Sequence, residues 1–208
     1  YKQTPLDINV GALENDYYRD LYYEFALNYS RSFGNHSVSG LALMNRQQKN
    51  QNTQFAYFNE ALVGRATYDY SHKYLVEVNV GYTGSERFAP GNRFGFFPSG
   101  AIGWVVSEEP FFKAAVPFVS KMKLRYSDGL VGSDYARSRW LYLSSYFKDS
   151  RGYIHEDLGA NLTAQWEQAR KRDIGLELGL FKDQLNIVVD LFDEQRDQML
   201  LVPRSVTM

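Results

Sequence analysis

Apolar and polar residues alternate one by one along much of the chain, and this is the period of a β-strand that has one apolar face. In residues 74–82 tyrosines and valines occupy the even positions, while Glu77 and Asn79 point the other way. A similar alternation begins at Asp20 and continues to Arg31. The pattern predicts eight antiparallel strands, in residues 20–31, 36–46, 59–70, 73–83, 93–106, 120–127, 173–180 and 185–191.

One predicted strand, in residues 93–106, carries aromatic residues at both ends, with Pro98, Gly100 and Gly103 between them. This spacing resembles a membrane-spanning barrel strand, whose aromatic residues lie at the two lipid–water boundaries. A strand of a soluble β-sandwich with a crowded aromatic core gives the same pattern. The segment alone leaves both interpretations open.

The connections between the predicted strands alternate between short and long. Short turns fall near residues 32–35, 71–72 and 182–183, and longer loops near 47–57, 84–93 and 128–172. The order is regular if residues 107–119, which begin with a predicted helical turn, count on the short side. A transmembrane barrel predicts this alternation because its periplasmic turns are short and its external loops long, whereas a Greek-key sandwich does not.

The composition excludes several classes of protein. A net charge of -1 gives no basic field that would recruit nucleic acid. The absence of cysteine excludes disulfides, thiolate metal sites and cysteine nucleophiles. No apolar run reaches the roughly 18 residues of a transmembrane helix. The chain begins at Tyr1 and ends at Met208 just after an apolar run, so we expect a segment of a longer polypeptide.

The candidate catalytic and metal-binding side chains give little support for an enzyme. Glu108 and Glu109 could form a catalytic pair, but we expect them to cap the helical turn, because sequence neighbours seldom converge on one substrate. Nucleotide-binding, zinc-protease and serine-hydrolase motifs do not occur, so we predict no enzyme activity and no cofactor. His36, His72 and His155 are far apart, and we expect solvated turn residues rather than metal ligands.

Four segments together resemble the SusC-like TonB-dependent receptors of Gram-negative outer membranes. They occur in the order of that family and cover somewhat less than half of the chain. The segments are YDYSHKYLVEVNVGYTGSERF (68–88), RFGFFPSGAIGWVVSEEPFF (93–112), KMKLRYSDGLVGS (121–133) and ANLTAQWEQARKRDIGLELGLFKDQLNIVVDLFDEQRDQMLL (160–201).

The resemblance implies an all-β fold in which residues 1–208 form one arc of a transmembrane barrel of about 22 strands. It also implies an outer-membrane importer of glycans or peptides that works with a SusD-like surface lipoprotein. Energy would come from TonB, ExbB and ExbD through a plug domain, and neither the plug nor a TonB box occurs in these residues. Two alternatives stay open: a small structural or adhesive outer-membrane barrel, and a soluble β-sandwich binding module.

The longest predicted loop contains the candidate substrate-binding residues Arg137, Arg139, Trp140 and Tyr142. Their cationic donors and flat aromatic rings can stack on sugar rings or hold peptide groups. The competing interpretation is that the aromatic residues pack this loop against its neighbours or against the lipoprotein.

The predicted strand 120–127 has a cationic polar face, formed by Lys121, Lys123 and Arg125. We expect these side chains to face the lumen of the barrel. There they would form salt-bridge ladders, which we favour, or would bias passage toward anions.

Overall fold

A computed structural model describes residues 18–51, 56–135 and 140–199 of the chain. In chain order its elements are β1 (Tyr18–Phe33), β2 (His36–Gln51), β3 (Tyr57–Tyr70), β4 (Tyr74–Ser85), β5 (Phe94–Val105), a 3-10 turn (Val106–Glu108), α1 (Pro110–Ala115), β6 (Val119–Ser133), β7 (Ser145–Lys148), β8 (Ile154–Leu158), β9 (Glu167–Leu180) and β10 (Leu185–Asp197). Within the described ranges, no helix is long and apolar enough to cross a membrane.

Eight of the strands form one antiparallel sheet in the order β1-β2-β3-β4-β5-β6-β9-β10. Each strand pairs with its neighbour in sequence, except that β6 pairs with β9 because the hairpin β7-β8 is inserted between them. Among the described residues β1 and β10 each pair along one edge only, so the sheet is open. The prediction of eight antiparallel strands and an all-β fold is confirmed.

The predicted strand boundaries agree with the structure at one end of the sheet and fall short of it at the other. The short turns at Gly34–Asn35, Ser71–Lys73 and Phe181–Gln184 lie where the sequence predicts them, and the helical turn after β5 is also confirmed. At the opposite end the strands are longer than predicted. There β2 continues to Gln51, and the predicted loop 128–172 shrinks because β6 runs to Ser133 and β9 starts at Glu167. The backbone pairing continues there, although residues 47–51 are all polar and Gly129 and Gly132 interrupt β6, so the alternation that reveals a strand is lost.

The two faces of the sheet differ in chemistry, and we call them the apolar face and the polar face. Side chains of the apolar face are exposed, as in Phe25 (69%), Ile102 (58%) and Leu191 (70%). Among the described residues, the buried hydrophobic side chains are Phe88, Ala89, Val106, Leu141, Ala164 and Trp166, and all of these lie in connections between the strands. The sheet therefore lacks the covered apolar face that a soluble β-sandwich needs.

The boundary of the apolar face slants across the strands. On β2 and β3 the apolar positions end at the register partners Arg46 and Glu60, and this row crosses β5 at Phe94. On β6 they end at Asp128, whose row crosses β5 at Gly100. Strands that tilt relative to a barrel axis require such a shift from strand to strand.

Candidate functional site

The polar face of β6, β9 and β10 carries a ladder of ion pairs. Lys121 Nζ lies 2.8 Å from Glu177 Oε2, and Lys123 Nζ lies 3.8 Å from Glu177 Oε1. Arg125 pairs with Asp173 at 3.2 Å and with Glu177 at 3.7 Å, and it also binds Asp190. The three cations that the sequence assigns to a polar face thus lie together and are neutralised by carboxylates of the next two strands. We call this set the ion-pair ladder.

Gly175 explains how Arg125 reaches a strand that is not its neighbour. Gly175 is the register partner of Arg125 on one side and of Asp190 on the other. A Cβ at Gly175 would overlap the Arg125 side chain, which lies across the glycine. The missing side chain at this position lets one guanidinium contact β9 and β10 together.

A second polar contact lies on β3 and β4, where Arg65 binds Glu77 at 2.8 Å and Asn79 donates to the same carboxylate at 2.9 Å. Between this pair and the ion-pair ladder, β5 contributes only small residues to the polar face, Ser99, Ala101 and Gly103. The polar face therefore has a shallow trough along β5, with Glu77 on one side and the cations of β6 on the other.

The long connection between β6 and β9 folds back onto the polar face and builds a small core there. Phe88 (0% exposed), Leu141, Ala164 and Trp166 pack together, with Phe97 of β5 beneath them. The ring of Phe97 occupies the space over Gly95 and Gly132, where a Cβ would overlap it. We call these five packed side chains, Phe88, Phe97, Leu141, Ala164 and Trp166, the loop core.

Hydrogen bonds tie the loop core to the strand ends. Trp166 Nε1 donates to the Arg93 carbonyl oxygen at 3.0 Å, and Trp140 Nε1 donates to Glu86 at 3.0 Å. The Leu141 amide donates to the Arg87 carbonyl oxygen at 3.1 Å. These contacts fix the start and the end of the long connection on the loop between β4 and β5.

The predicted substrate-binding residues are only partly placed by the structure. Arg137 and Arg139 lie outside the described residues. Trp140 is half-buried and donates a hydrogen bond to the Glu86 carboxylate, and Tyr142 is half-buried next to Leu141 in the chain. The described part of the candidate site thus lies at the edge of the loop core.

The hairpin β7-β8 lies in the long connection between Leu141 and Ala164 and exposes aromatic side chains, including Tyr146 and Tyr153, that are not among the predicted substrate-binding residues. Asp149 stabilises the turn between β7 and β8, because its carboxylate accepts hydrogen bonds from His155 Nε2 at 3.1 Å and from the Tyr153 amide at 2.9 Å. The hydrogen bond from His155 is the largest cause of the lowered pKa of Asp149, and the bond from the Tyr153 amide adds to it. The sequence signal nearest to this hairpin is the aromatic series Trp140, Tyr142 and Tyr146, of which Tyr146 lies in β7.

At the opposite end of the sheet Glu109 joins three elements. Its carboxylate accepts hydrogen bonds from Lys73 Nζ at 3.0 Å, Tyr74 OH at 2.8 Å and Trp104 Nε1 at 3.4 Å, and the residue is only 8% exposed. The Lys73 hydrogen bond is the largest cause of the lowered pKa of Glu109. The prediction that these carboxylates cap the helix is wrong for Glu109, whose side chain makes no capping hydrogen bond to α1.

The three histidines have separate surroundings. His36 Nδ1 lies 2.8 Å from Tyr68 OH and its ring stacks on Phe33, so it belongs to the aromatic end of the apolar face. His72 lies in the turn before β4 and contacts Asp69 at 2.7 Å. In the part of the chain that the structure describes, no three His, Asp or Glu side chains group as a metal site would require.

Comparison with curated proteins gives relatives of one kind, although no family profile matches the chain. The TonB-dependent receptor P39 of Formosa agariphila is 28% identical over 95% of this chain and 23% of its own length. The TonB-dependent receptor SusC of Bacteroides thetaiotaomicron is 29% identical over 72% of this chain and 15% of its own length. The chain therefore spans about a quarter or less of the relatives that it matches.

Solved structures show the same fold. A structure of the RagAB peptide transporter superposes with a TM-score of 0.74 and 18% sequence identity, covering 90% of this chain and 25% of that chain. The RagAB peptide importer in its open-open state superposes with a TM-score of 0.72 over 90% of this chain. The open eight-stranded sheet is accordingly one arc of a large antiparallel barrel.

Proposed function

Because the chain belongs to the family of SusC-like TonB-dependent receptors, we propose that residues 1–208 are part of the barrel domain of an outer-membrane nutrient importer. The plug domain and the other barrel strands would be contributed by sequence outside these residues. The importer has no catalytic activity of its own and needs no cofactor.

The apolar face is the observation that carries this proposal. Tyr74 and Trp104 lie at its turn end, and Tyr82 stacks on Phe94 at a centroid distance of 5.0 Å at its loop end. The interval from Tyr74 to Tyr82 matches the roughly 9–11 residues that a tilted strand uses to cross a bilayer. Aromatic side chains at both ends of an exposed apolar band are the pattern of a lipid-facing barrel wall.

The orientation follows from the loops. In outer-membrane barrels the short turns are periplasmic and the long loops are external. The loop core would then lie at the external mouth, and Glu109 would lie at the periplasmic end. The polar face would line the lumen, so that Lys121, Lys123 and Arg125 stabilise the wall through the ion-pair ladder.

Substrate contact is assigned to the long external connection. The loop core holds Trp140 and Tyr142 at the barrel mouth, and Arg137 and Arg139 directly precede them in the chain. We propose that these four residues contact the cargo, a glycan or a peptide. A SusD-like lipoprotein would cover the mouth, and TonB with ExbB and ExbD would supply energy through the plug.

The test uses the complete receptor, tagged and purified in detergent from the outer membrane of its native host. Mass spectrometry of the preparation is expected to show a polypeptide several times the length of this chain together with a surface lipoprotein. Uptake of labelled oligopeptides and oligosaccharides by whole cells, with and without a protonophore, then measures energised import. A protein of this length alone, found outside the membrane, would contradict the proposal.

A further inference from the structure

Two arginines lie at the loop end of the apolar face, directly beyond the apolar positions of β6 and β9. Tyr126 and Ile174 are register partners on this face. The next partners on the same face are Asp128 and Arg172, and Arg170 occupies the following position of β9 on that face. Under the proposed orientation, this is the level at which the barrel wall leaves the external leaflet of the bilayer.

One carboxylate orients both guanidinium groups. Asp128 accepts hydrogen bonds from Arg170 Nε at 3.0 Å and from Arg170 Nη2 at 2.7 Å. Arg172 Nε lies 3.4 Å from the same carboxylate. The side chains of Arg170 and Arg172 are 51% and 40% exposed. Because a guanidinium carries several N–H donors in a planar fork, both arginines keep donors, beyond those that Asp128 engages, for a ligand that approaches from outside the barrel.

A groove beside Arg170 extends this site onto the wall. Asp193 of β10 is the register partner of Arg172 and lies on the same face, so we expect an anion to bind on the β6 side of the arginines, away from that carboxylate. On that side a groove of about 330 Å³ opens over β5 and β6. Its lining consists of Pro98, Ser99, Gly100, Asp128, Leu130 and Arg170. The wall is recessed there because Gly100, the register partner of Asp128, has no side chain.

A phosphate group attached to an apolar body fits this arrangement. Guanidinium groups bind phosphate through charge-assisted and often bidentate hydrogen bonds. Basic clusters at a membrane boundary hold anionic lipid headgroups in the same way. From the groove, the apolar face continues along β5 from Gly100 to Ile102, whose side chain is exposed. Acyl chains that are joined to a headgroup in the groove can therefore run toward the bilayer centre.

The side of the membrane determines which phosphate-bearing lipid meets the cluster. The external leaflet of a Gram-negative outer membrane consists chiefly of lipopolysaccharide, whose anchor, lipid A, is an acylated glucosamine disaccharide that carries phosphate. We propose that Arg170 and Arg172 bind a lipid A phosphate, with the disaccharide in the groove at Gly100 and acyl chains along Ile102. This site rests on the proposed function, because only a lipid-facing wall presents the two arginines to that leaflet.

Native mass spectrometry of the complete receptor, delipidated in detergent and titrated with lipid, tests the site. The probes are lipid A from the native host, the same lipid A after enzymatic dephosphorylation, and phosphatidylglycerol. The unaltered receptor is expected to bind intact lipid A about tenfold more tightly than either other probe, since one lacks the phosphate and the other the disaccharide. Excess inorganic phosphate should not displace lipid A, because it has no apolar body to place on the wall.

The double variant Arg170→Gln and Arg172→Gln is expected to bind intact lipid A about tenfold more weakly and the dephosphorylated form unchanged. Arg172→Gln alone keeps the hydrogen bonds of Arg170 to Asp128 and should give an intermediate loss, so it tests the site even if the double variant does not assemble. Lys171→Gln is the matched control, because Lys171 lies between the two arginines but points to the polar face, toward Glu194 at 3.6 Å. It is expected to leave lipid A binding unchanged.

Equal binding of intact and dephosphorylated lipid A by the unaltered receptor would overturn the site. Equal losses in Lys171→Gln and Arg172→Gln would also overturn it, since total charge rather than the outward cluster would then govern binding. Phosphatidylglycerol binding as tight as that of lipid A, or displacement of lipid A by inorganic phosphate, would reduce it to a general anion site. If the same preparations still insert and import, the proposed function stands without the site, whereas a receptor absent from the outer membrane would remove both.

Discussion

The ammonium group of Lys73 donates a hydrogen bond to the carboxylate of Glu109 at 3.0 Å, and this contact joins the turn before β4 to the helical connection after β5. A backbone hydrogen bond joins the same two connections, since the Val105 amide donates to the Lys73 carbonyl oxygen at 2.7 Å. The two connections therefore behave as one unit at the turn end of the sheet.

Glu109→Gln is expected to loosen this unit, because a neutral amide replaces a carboxylate that accepts from Lys73, Tyr74 and Trp104. The loss should be seen as faster proteolysis at Lys113 in the complete receptor. Glu108→Gln is the control, since among the described residues Glu108 forms a single exposed ion pair, with Lys113 at 2.7 Å, and the substitution should have little effect.

The same carboxylate predicts a pH dependence. Since the folded pKa of Glu109 is depressed, its stabilising contribution is present above the unfolded pKa of about 4.3 and is lost as the pH falls through the lower folded value. Proteolysis at the turn end should therefore accelerate at strongly acidic pH in the unaltered receptor. A pH profile of Glu109→Gln that is as steep as that of the unaltered receptor would contradict this assignment.

Trp166→Ala is expected to release the long connection from the polar face. Trp166 is nearly buried against Phe88 and Phe97, and truncation of a buried aromatic residue costs on the order of 3–5 kcal/mol of local stability. Hydrogen exchange of the hairpin β7-β8 should rise while exchange in β3 and β4 stays slow.

Trp166→Phe separates packing from hydrogen bonding at this position. It keeps most of the ring but loses the hydrogen bond to the Arg93 carbonyl oxygen, worth about 1 kcal/mol. An intermediate exchange rate is expected. If Trp166→Ala left exchange in the hairpin unchanged, the loop core would not be what holds the connection.

The sequence predicted the strands well where one face is apolar and the other polar. From Tyr74 to Tyr82 the alternation gives both the strand and its faces, because every second side chain has the same environment. Near Gln51 both faces are polar, and before Ser133 the glycines Gly129 and Gly132 interrupt the alternation. At both places only the hydrogen-bonding ladder with a neighbouring strand shows that the strand continues. Side-chain pattern carries no information about that ladder.

The candidate site was harder to predict, because its contacts join residues that are distant in sequence. Alternation assigns Phe97 to the polar face, but nothing local shows that Trp166 covers it. Glu109 has the position of a helix cap, yet a lysine and two aromatic residues from other strands bind its side chain. For Arg125, the glycine that lets it reach Asp190 lies on a third strand.

Arg125→Lys is expected to weaken the ion-pair ladder although it keeps the charge. One ammonium group cannot replace the planar guanidinium that contacts Asp173, Glu177 and Asp190 together. Because the side chain is partly exposed, the loss should be about 1 kcal/mol and should shrink at high salt. Thermal unfolding of the complete receptor at low and high ionic strength measures it.

Lys113→Met provides the comparison for that prediction. It removes an exposed pair with Glu108 outside the sheet and should change the free energy of unfolding by less than about 0.5 kcal/mol at either salt concentration. Equal effects of the two substitutions would mean that the ladder acts only as separate surface pairs.

Val78→Arg tests the lipid-facing assignment of the apolar face. Val78 lies in the middle of the apolar interval of β4 and is half exposed, with Gly100 of β5 as its register partner. An arginine at the bilayer midplane of a barrel costs about 2–4 kcal/mol, so less receptor should fold into the outer membrane. The amount is measured from the heat-modifiable band of the complete receptor in outer-membrane fractions.

Asn79→Arg places the same side chain one position further along β4, on the polar face. There the Glu77 carboxylate, which accepts a hydrogen bond from Asn79, can accept one from the new guanidinium. We expect normal assembly, because this arginine would meet water and a carboxylate rather than lipid. The two neighbouring substitutions therefore separate the faces with one change of chemistry. If both variants assembled equally well, the apolar face would be covered by protein rather than by lipid, and the barrel-wall assignment would have to be abandoned.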